Sequence, residues 1–333
     1  MHQLDLPLSP SHRLEHSPNQ SYYARLTNAL SQDLDFHHQD SSYASHNYHA
    51  FPAKFPPQLP RAFIRALTNP GDAVLDPMMG SGTTILEAFL AGRRGIGCDI
   101  DPLAALITKV KVTPLDSDRV RLQANELLTK ATQMLNGGAA SQPSITENHF
   151  DPKTRTFIDY WFHDNTQAEL GVLIAGINAI PDPDMKAFFQ LAFSAIIITK
   201  SGGVSLALDL AHTRPHRAKL VMDVNGSILY GRELAENPLP RTKYVTKTLR
   251  SPLVEYQKRI RQNLNHLVAA GQGAITPGIL FGDAQSLPIQ SDSIDLIVTS
   301  PPYASNAIDY MRAHKFSLVW MGYPIQALGD KRR

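Results

Sequence analysis

Short apolar runs that end in glycine- and aspartate-rich loops alternate with helical patterns near both ends of the chain. In the first part, 73-AVL-75 leads into the loop 76-DPMMGSGTT-84, and the helical pattern 85-ILEAFLAG-92 follows it. A second apolar run, 95-GIGCDID-101, is followed by a helical pattern that begins near Pro102. This strand–loop–helix–strand order predicts a parallel α/β sheet.

The same kind of strand returns near the end of the chain. Two further strands are predicted within 278-GILFGDAQSLP-288 and 294-IDLIVTSPPY-303. Polar residues follow each of these strands, and open parallel sheets bind ligands at the carboxyl ends of their strands. The sequence therefore predicts a ligand site at this edge of the sheet.

Residues 113–274 interrupt the alternation and are predicted to form a largely helical inserted lobe. Residues 1–45 are rich in Ser, His, Gln and Pro and have no hydrophobic period, so we expect a flexible N-terminal arm there. The remaining segments, 46–112 and 275–333, would then form the α/β domain.

The composition is that of an ordinary globular protein, with 43% hydrophobic and 19% charged residues among 333. No apolar run is long enough to cross a bilayer, and the N-terminus has no apolar segment of the signal-peptide type. We therefore expect a cytoplasmic protein without a membrane partner. The single cysteine, Cys98, excludes an internal disulfide and a cysteine-based zinc cluster, and no metal site is predicted.

Positive charge is concentrated in the middle of the chain. Between Lys200 and Arg261 there are twelve Lys and Arg residues against five Asp and Glu, whereas the whole chain has a net charge of only +2. Such an excess suits a polyanionic partner, because neutralised phosphates release counterions. A solvated helical face would carry similar charges, so the excess alone leaves both interpretations open.

The loop after the first strand has the glycines needed for close approach to a ligand. Gly80 and Gly82 allow a sharp turn, and Thr83 or Thr84 is placed to cap the following helix. The loop lacks the lysine of a P-loop and the spacing of a dinucleotide fingerprint. Asp76 would repel a pyrophosphate and suits a cationic ammonium group instead. A tight turn without a ligand would need the same glycines.

Two further aspartates follow the next strands. Asp99 is placed to accept hydrogen bonds from ribose hydroxyls, and Asp283 could accept one from the exocyclic amine of a purine. Asp101 is the rival of Asp99, but it precedes Pro102 and is better interpreted as a helix N-cap. Each aspartate alone could be a turn residue, whereas three at successive strand ends indicate a site.

The turn 300-SPPY-303 places hydrogen-bond acceptors in a rigid corner. The Ser300 hydroxyl and the carbonyls around Pro301 are held there because Pro301 and Pro302 fix the backbone. Acceptors for both N–H groups of an aryl amine favour a pyramidal nitrogen and localise its lone pair, which makes it a better nucleophile. Tyr303 offers a ring on which a base could stack.

In this order, these motifs resemble those of S-adenosylmethionine-dependent amino-methyltransferases that act on DNA. DPMMGSGTT resembles the cofactor loop of that family, usually DPFxGSGT, with Met78 in place of the aromatic residue. TSPPY resembles the catalytic motif, and its serine is typical of members that make N4-methylcytosine. HAFPAKFP at 49–56 resembles the segment that closes over the methionine end of the cofactor. The motifs cover roughly a third of the chain.

The resemblance implies a Rossmann-like methyltransferase sheet and S-adenosylmethionine as the cofactor. It places Lys54 and Phe55 near the methionine carboxylate, Asp76 at the ammonium group, Asp99 at the ribose and Asp283 at the adenine. The other cofactor-binding candidates belong to the glycine loop, namely Pro77, Gly80, Ser81, Gly82 and Thr83. The catalytic candidates are Ser300, Pro301, Pro302 and Tyr303.

The resemblance also gives the middle of the chain a role in target recognition. Its basic residues are candidates for contact with double-stranded DNA from which the target base is flipped. They are His212, Arg214, His216, Arg217, Lys219, Arg241, Lys243, Lys247 and Arg250. A cognate restriction endonuclease is a further possible partner, and the sequence does not determine an oligomeric state.

We expect methyl transfer to N4 of cytosine, with adenine N6 and an exocyclic amine of RNA as alternatives. Members of the family continue past the catalytic motif with several more strands. Here a helical pattern, 307–323, is followed by only ten residues, so we expect a C-terminally incomplete sheet. That expectation motivates a further alternative, a catalytically silent module that binds the cofactor and nucleic acid.

Overall fold

The structure is a computed structural model that describes residues 20–54, 56–137, 150–210, 215–268, 275–301 and 309–330. Its helices are α1 (Tyr22–Leu30), α2 (Gln58–Leu67), α3 (Thr83–Leu90), α4 (Pro102–Val112), α5 (Ser117–Asn136), α6 (Pro152–Trp161), α7 (Asp164–Asn178), α8 (Pro183–Ile197), α9 (Arg232–Glu236), α10 (Pro252–Leu264), α11 (Met311–Leu318) and α12 (Ile325–Asp330). Its strands are β1 (Ala73–Asp76), β2 (Arg94–Asp99), β3 (Leu220–Met222), β4 (Ile228–Tyr230), β5 (Thr246–Thr248), β6 (Gly278–Phe281) and β7 (Leu296–Ile297).

Four strands form a parallel sheet in the order β6–β2–β1–β7, as the apolar runs predicted. The chain passes from β1 to β2 on one side, whereas β7 pairs with β1 on the other side. The direction in which neighbouring strands are added therefore reverses at β1, the kind of position where open α/β sheets bind ligands. The last two strands, Gly278–Phe281 and Leu296–Ile297, are short and lie within the two predicted segments.

Four of the helices begin with a capping side chain followed by proline. The caps Asp101, Asp151, Asp182 and Ser251 each accept a hydrogen bond from a backbone amide of the first helical turn. Proline at the first helical position loses nothing, because that N–H has no partner within the helix. Asp101 is thus the N-cap of α4, as its position before proline predicted.

Part of the predicted N-terminal arm is ordered on the sheet domain. Helix α1 packs against α2, and Ala29 is buried beside Ala66 and Leu67. The prediction of a flexible arm is therefore wrong for Tyr22–Leu30. The sequence pattern of this nine-residue helix is weak, because a helix this short is stabilised mainly by tertiary packing.

The helical region between β2 and β6 shares its core with the sheet domain. Buried side chains of α5, α7, α8 and α10 form one cluster with Ile107 of α4 and Phe316 of α11. A helical region was predicted here, and its separation into a lobe with its own boundaries stays a prediction. A small sheet of order β4–β3–β5 follows α8. None of the helices in the described ranges is long and apolar enough to cross a membrane.

Candidate functional site

A cavity of about 670 Å³ opens at the carboxyl edge of the parallel sheet. The ends of all four strands border it, and in sheet order they contribute Asp283 after β6, Asp99 of β2, Asp76 of β1 and Ser300 after β7. This volume is in the range of about 300–1,000 Å³ that is usual for small-molecule sites. The residues that the sequence singled out at separate strand ends therefore lie around one space.

The loop after β1 is folded tightly against its neighbours, so that its backbone lines the cavity. The Met79 amide donates a hydrogen bond to the carbonyl of Cys98. The Met79 side chain packs on Gly97, where an added Cβ would lie only 2.4 Å from the Met79 sulfur. Gly82 has a φ of +70° and is the N-cap of α3, so neither predicted threonine cap is present. Thr84 donates instead to the carbonyl of Val298.

Helix α4 supports the same loop from below. A Cβ on Gly82 would lie 2.3 Å from the Thr108 hydroxyl oxygen, so only glycine fits there. The Lys111 side chain is fully buried and donates to the Ser81 carbonyl at 2.6 Å. Burial lowers the pKa of the Lys111 ammonium well below its ordinary value. Lys111 lies in the last turn of α4 and was not predicted as a site residue.

Asp99 fixes the loop on the cavity side. Its carboxylate accepts the Gly80 amide at 2.8 Å and the Asp101 amide at 2.9 Å, one on each oxygen. Burial raises the pKa of this carboxyl, while the two amide bonds act in the opposite direction. Each oxygen keeps a second acceptor site, so Asp99 can orient the loop and still accept a hydroxyl from a ligand.

Asp76 is the most deeply buried acid of the cavity, with only 2% of its surface exposed. It accepts the Met78 amide at 3.2 Å. Burial raises the pKa of the Asp76 carboxyl to about 6, and the nearby hydroxyls of Thr299 and Thr84 act against that rise. A buried carboxylate without a cationic protein partner is suited to a cationic ligand.

The segment before α2 closes the cavity on another side. Phe51 covers the glycine loop, since a Cβ on Gly80 would lie 3.2 Å from its ring, and it stacks on Tyr310 with centroids 5.0 Å apart. Lys54 lines the cavity and donates to the His46 carbonyl at 3.1 Å. Phe55, predicted beside Lys54, lies outside the described residues. Phe51 belongs to the predicted closing segment but was not itself singled out.

A buried acid on α3 anchors that closing segment. Glu87 is 2% exposed and accepts hydrogen bonds from Tyr43, from His46 at 2.8 Å and from Arg61 at 3.0 Å. Burial lowers the pKa of His46 to about 4, so the imidazole is neutral at pH 7 and donates to the carboxylate. Residues 43–54 are thereby attached to the helix that starts at the glycine loop.

The catalytic candidates are placed only in part. Ser300 is exposed and borders the cavity, and Pro301 is exposed next to it. Val298 donates to the carbonyl of Leu75, so the strand leading to the turn remains paired with β1. Pro302 and Tyr303 lie outside the described residues, and their roles stay predictions.

Comparisons with known proteins identify DNA methylases as the proteins that this chain is similar to. A family model described as DNA methylase, for N6/N4 methylases, matches residues 13–109. The type II methyltransferase M.MvaI of Kocuria varians is 23% identical over 312 residues, which is 90% of this chain and 62% of that protein. M.BsoBI of Geobacillus stearothermophilus is 23% identical over 318 residues, covering 92% and 58%. M.MjaII of Methanocaldococcus jannaschii is 36% identical over 88 residues, covering 26% and 17%.

The chain is similar to the N6/N4 DNA methylase family over residues 13–109 and distantly similar to type II methyltransferases along most of its length. It spans 62% and 58% of the length of the two relatives that it matches along most of its own sequence. The family match begins at residue 13, within the segment that was predicted to be an arm. Similarity to this methylase family implies S-adenosylmethionine as the cofactor.

The cavity fits this cofactor in the chemistry of its lining. Asp76 has no cationic partner among the described residues, which suits an ammonium group, and Lys54 supplies a cation for a carboxylate. At the other end, Asp99 and Asp283 border the cavity together with Ile100, whose side chain is half exposed and can cover the face of a flat base. Four residues of the predicted cofactor loop also line it, namely Pro77, Gly80, Ser81 and Thr83.

Helix α11 adds residues that the motifs did not indicate. Tyr310 and Met311 line the cavity beside Asp101, and Asp101 accepts a hydrogen bond from His314 at 2.5 Å. His314 is fully buried. The helix that follows the catalytic turn is therefore tied to the loop after β2, a long-range contact without a local sequence signal.

The candidates for nucleic-acid contact lie on the small sheet and beside it. Lys219, Arg241, Lys243 and Arg250 are exposed, while His212 and Arg214 lie outside the described residues. Arg217 is partly buried, with its guanidinium carbon 4.8 Å from the ring centre of Tyr160. Most of the described basic candidates can therefore reach a polyanion.

Lys247 contradicts its predicted role as a contact for nucleic acid. Its side chain points inward from β5 and is 8% exposed, and its ammonium donates to the carbonyls of Ser201 and Ala207. Burial lowers the pKa of Lys247 to about 7. The prediction counted its charge without its register, and the register places it opposite the buried Val221 of β3.

Proposed function

We propose that this chain carries the catalytic site of an S-adenosylmethionine-dependent DNA methyltransferase that modifies N4 of cytosine. The observation that carries the proposal is the single cavity bordered by Asp76, Asp99 and Ser300. The acids provide a place for the cofactor, and the serine brings a hydrogen-bond acceptor to the same space. Similarity to the N6/N4 DNA methylase family supports methyl transfer to an exocyclic amine of DNA.

The cofactor, when bound, supplies a methyl group on a cationic sulfur. Lys54 and Asp76 would hold its methionine part, and Asp99 and Asp283 would accept hydrogen bonds from the ribose and the adenine. The Ser300 hydroxyl and the Pro301 carbonyl would accept the two N–H groups of the target amine. These acceptors favour a pyramidal amine with a localised lone pair, which is the nucleophile in the transfer.

The serine at position 300 supports cytosine over adenine, because the resemblance associates this variant of the turn with N4 methylation. Adenine N6 is the second candidate, since the family includes both activities. A base in a duplex cannot reach a recessed cavity without leaving the stack, so the target would be flipped out. The exposed cations Lys219, Arg241 and Lys243 would contact the phosphates around it.

The decisive experiment uses the whole chain, labelled S-adenosylmethionine and double-stranded DNA, followed by mass spectrometry of the nucleosides. Labelled N4-methylcytosine is the expected product. Labelled N6-methyladenine would reject the choice of base but keep the reaction class. Cofactor binding without any labelled base would reject the proposed activity for this chain and favour a silent binding module.

A pair of variants tests the division of roles within the cavity. Ser300→Ala should leave the dissociation constant for S-adenosylmethionine unchanged and lower the turnover about 100-fold, as loss of a transition-state hydrogen bond does. Asp99→Ala should weaken cofactor binding itself. Ser293→Ala, an exposed serine outside the cavity, is the matched control and should change neither quantity. Equal loss of cofactor binding in Ser300→Ala and Asp99→Ala would contradict these roles.

A further inference from the structure

Arg217 lies between two exposed tyrosine rings. Its guanidinium carbon is 4.8 Å from the ring centre of Tyr160 on α6 and 5.0 Å from that of Tyr230 on β4. Both rings are about half exposed, at 51% and 47%. Aromatic faces attract a guanidinium and restrict its plane. The side chain therefore reaches the surface in a fixed orientation rather than as a mobile cation.

The backbone under Arg217 is also fixed. An antiparallel bridge pairs Arg217 with Ala207, and hydrogen bonds flank it from Leu208 to His216 at 2.8 Å and from Ala218 to Leu206 at 2.9 Å. Leu206 in turn donates to the carbonyl of Trp161 at 2.7 Å, beside Tyr160. The arginine and one of its two rings are thus connected through hydrogen-bonded backbone.

The buried part of the guanidinium determines which donors a ligand can meet. The Nε atom of Arg217 is buried without a hydrogen-bond partner in the described residues, while the side chain as a whole is only partly buried. The terminal nitrogens form the planar fork that arginine uses for bidentate recognition. In DNA, the O6 and N7 atoms of guanine offer two matching acceptors in the major groove.

This arrangement differs from that of the other exposed cations nearby. Lys219 and Lys243 have flexible side chains with a compact ammonium, which suits contact with a phosphate of any sequence. A donor pair held in a fixed plane matches one base edge better than a freely rotating ammonium does. We propose that Arg217, held by Tyr160 and Tyr230, reads a guanine in the target site of this protein.

This inference rests on the proposed DNA methyltransferase function, but it is tested by binding and needs no turnover. The wild-type chain with S-adenosylmethionine selects duplexes from a library with a random core. The library is sequenced before selection, and the bound duplexes are sequenced after it. Arg217→Lys and Arg217→Ala are selected in parallel. Lys219→Gln is the matched control, an exposed cation two residues away.

We expect the wild type to require guanine at one position of the selected site. Both Arg217 variants should tolerate other bases at that position. On the selected duplex, Arg217→Ala should bind about 5- to 150-fold more weakly, the range for one bidentate base contact. Replacing that guanine by 7-deazaguanine removes the N7 acceptor, so the wild type should lose affinity and Arg217→Ala should lose none in addition. Lys219→Gln should weaken all duplexes alike and reduce the salt dependence by about one unit of slope.

Several results would overturn the inference. An Arg217→Ala variant that weakens every sequence equally, with a smaller salt slope, would make Arg217 a phosphate contact. An unchanged selected site would make the tyrosine clamp structural. The 7-deazaguanine measurement uses the wild-type chain, so it remains decisive if a variant fails to fold, and an unaffected affinity there counts against the contact. A wild-type chain that selects no sequence would instead reject sequence-specific DNA recognition, and this inference with it.

Discussion

The raised pKa of Asp76 predicts that cofactor affinity depends on pH in a range where an ordinary aspartate would remain ionised. Burial raises this pKa to about 6 in the free protein. If the carboxylate must be ionised to hold an ammonium group, then protonation competes with binding. About nine-tenths of the Asp76 side chains are ionised at pH 7, but only about one-tenth at pH 5.

The affinity for S-adenosylmethionine should therefore fall about tenfold between pH 7 and pH 5, which corresponds to about 1.4 kcal/mol. With the ordinary aspartate pKa of 3.8, the ionised fraction, and with it the cofactor affinity, would fall by only about 6% over the same interval. The contribution of Asp76 to folding has the opposite sign. Its folded-state pKa is raised, so this contribution declines as pH rises from 3.8 towards about 6.

Isothermal titration calorimetry from pH 5 to pH 8 measures the effect directly, with circular dichroism to verify the fold at each pH. Asp76→Asn should bind more weakly at pH 7 and lose the pH dependence, because its amide does not titrate. Asp292→Asn, in an exposed loop away from the cavity, should keep the wild-type profile. A wild-type affinity that varies less than twofold, or a slope that persists in Asp76→Asn, would refute the reasoning.

Three further measurements test the supports of the site. Gly82→Ala should lower the free energy of unfolding, measured in urea, by about 2–5 kcal/mol, because it combines a φ of +70° with a clash against Thr108. The control Gly92→Ala has a φ of +72° but open space around it, so its cost should be only about 1–2 kcal/mol. Since the pKa of buried His46 is lowered to about 4, stability should fall by about 3 kcal/mol as pH drops from 6.5 to 4, and His46→Gln should flatten that profile. Lys247→Met should leave DNA affinity within a factor of two, and a larger loss would restore its predicted role as a contact.

The strand ends and the helix caps could be predicted because their signals are local. An apolar run followed by a polar turn identifies a strand and the side chain at its end, so Asp76, Asp99 and Asp283 were found one at a time. Their meeting at one edge then follows from the parallel sheet alone. The N-cap role of Asp101 needed only the proline after it.

The supports of the site could not be predicted, because their partners are distant in sequence. Glu87 lies within a short apolar helix, where it could as well have faced solvent, and its partners Tyr43 and His46 are 44 and 41 residues away. The region of those partners had no hydrophobic period and was interpreted as an arm. A carboxylate inside an otherwise apolar helical pattern was the one available signal, since burying it demands a donor elsewhere.

The basic region shows what a count of charges leaves out. The excess of cations was correct as composition, but side chains on a strand alternate between two faces, and a shift of one residue exchanges them. Arg217 and Lys219 precede β3, where Lys219 is exposed and Arg217 is partly buried, whereas Val221 within the strand is fully buried. On the neighbouring strand the pairing register turns Lys247 inward. Composition therefore indicates a basic region, while burial in the fold decides which of its cations are exposed.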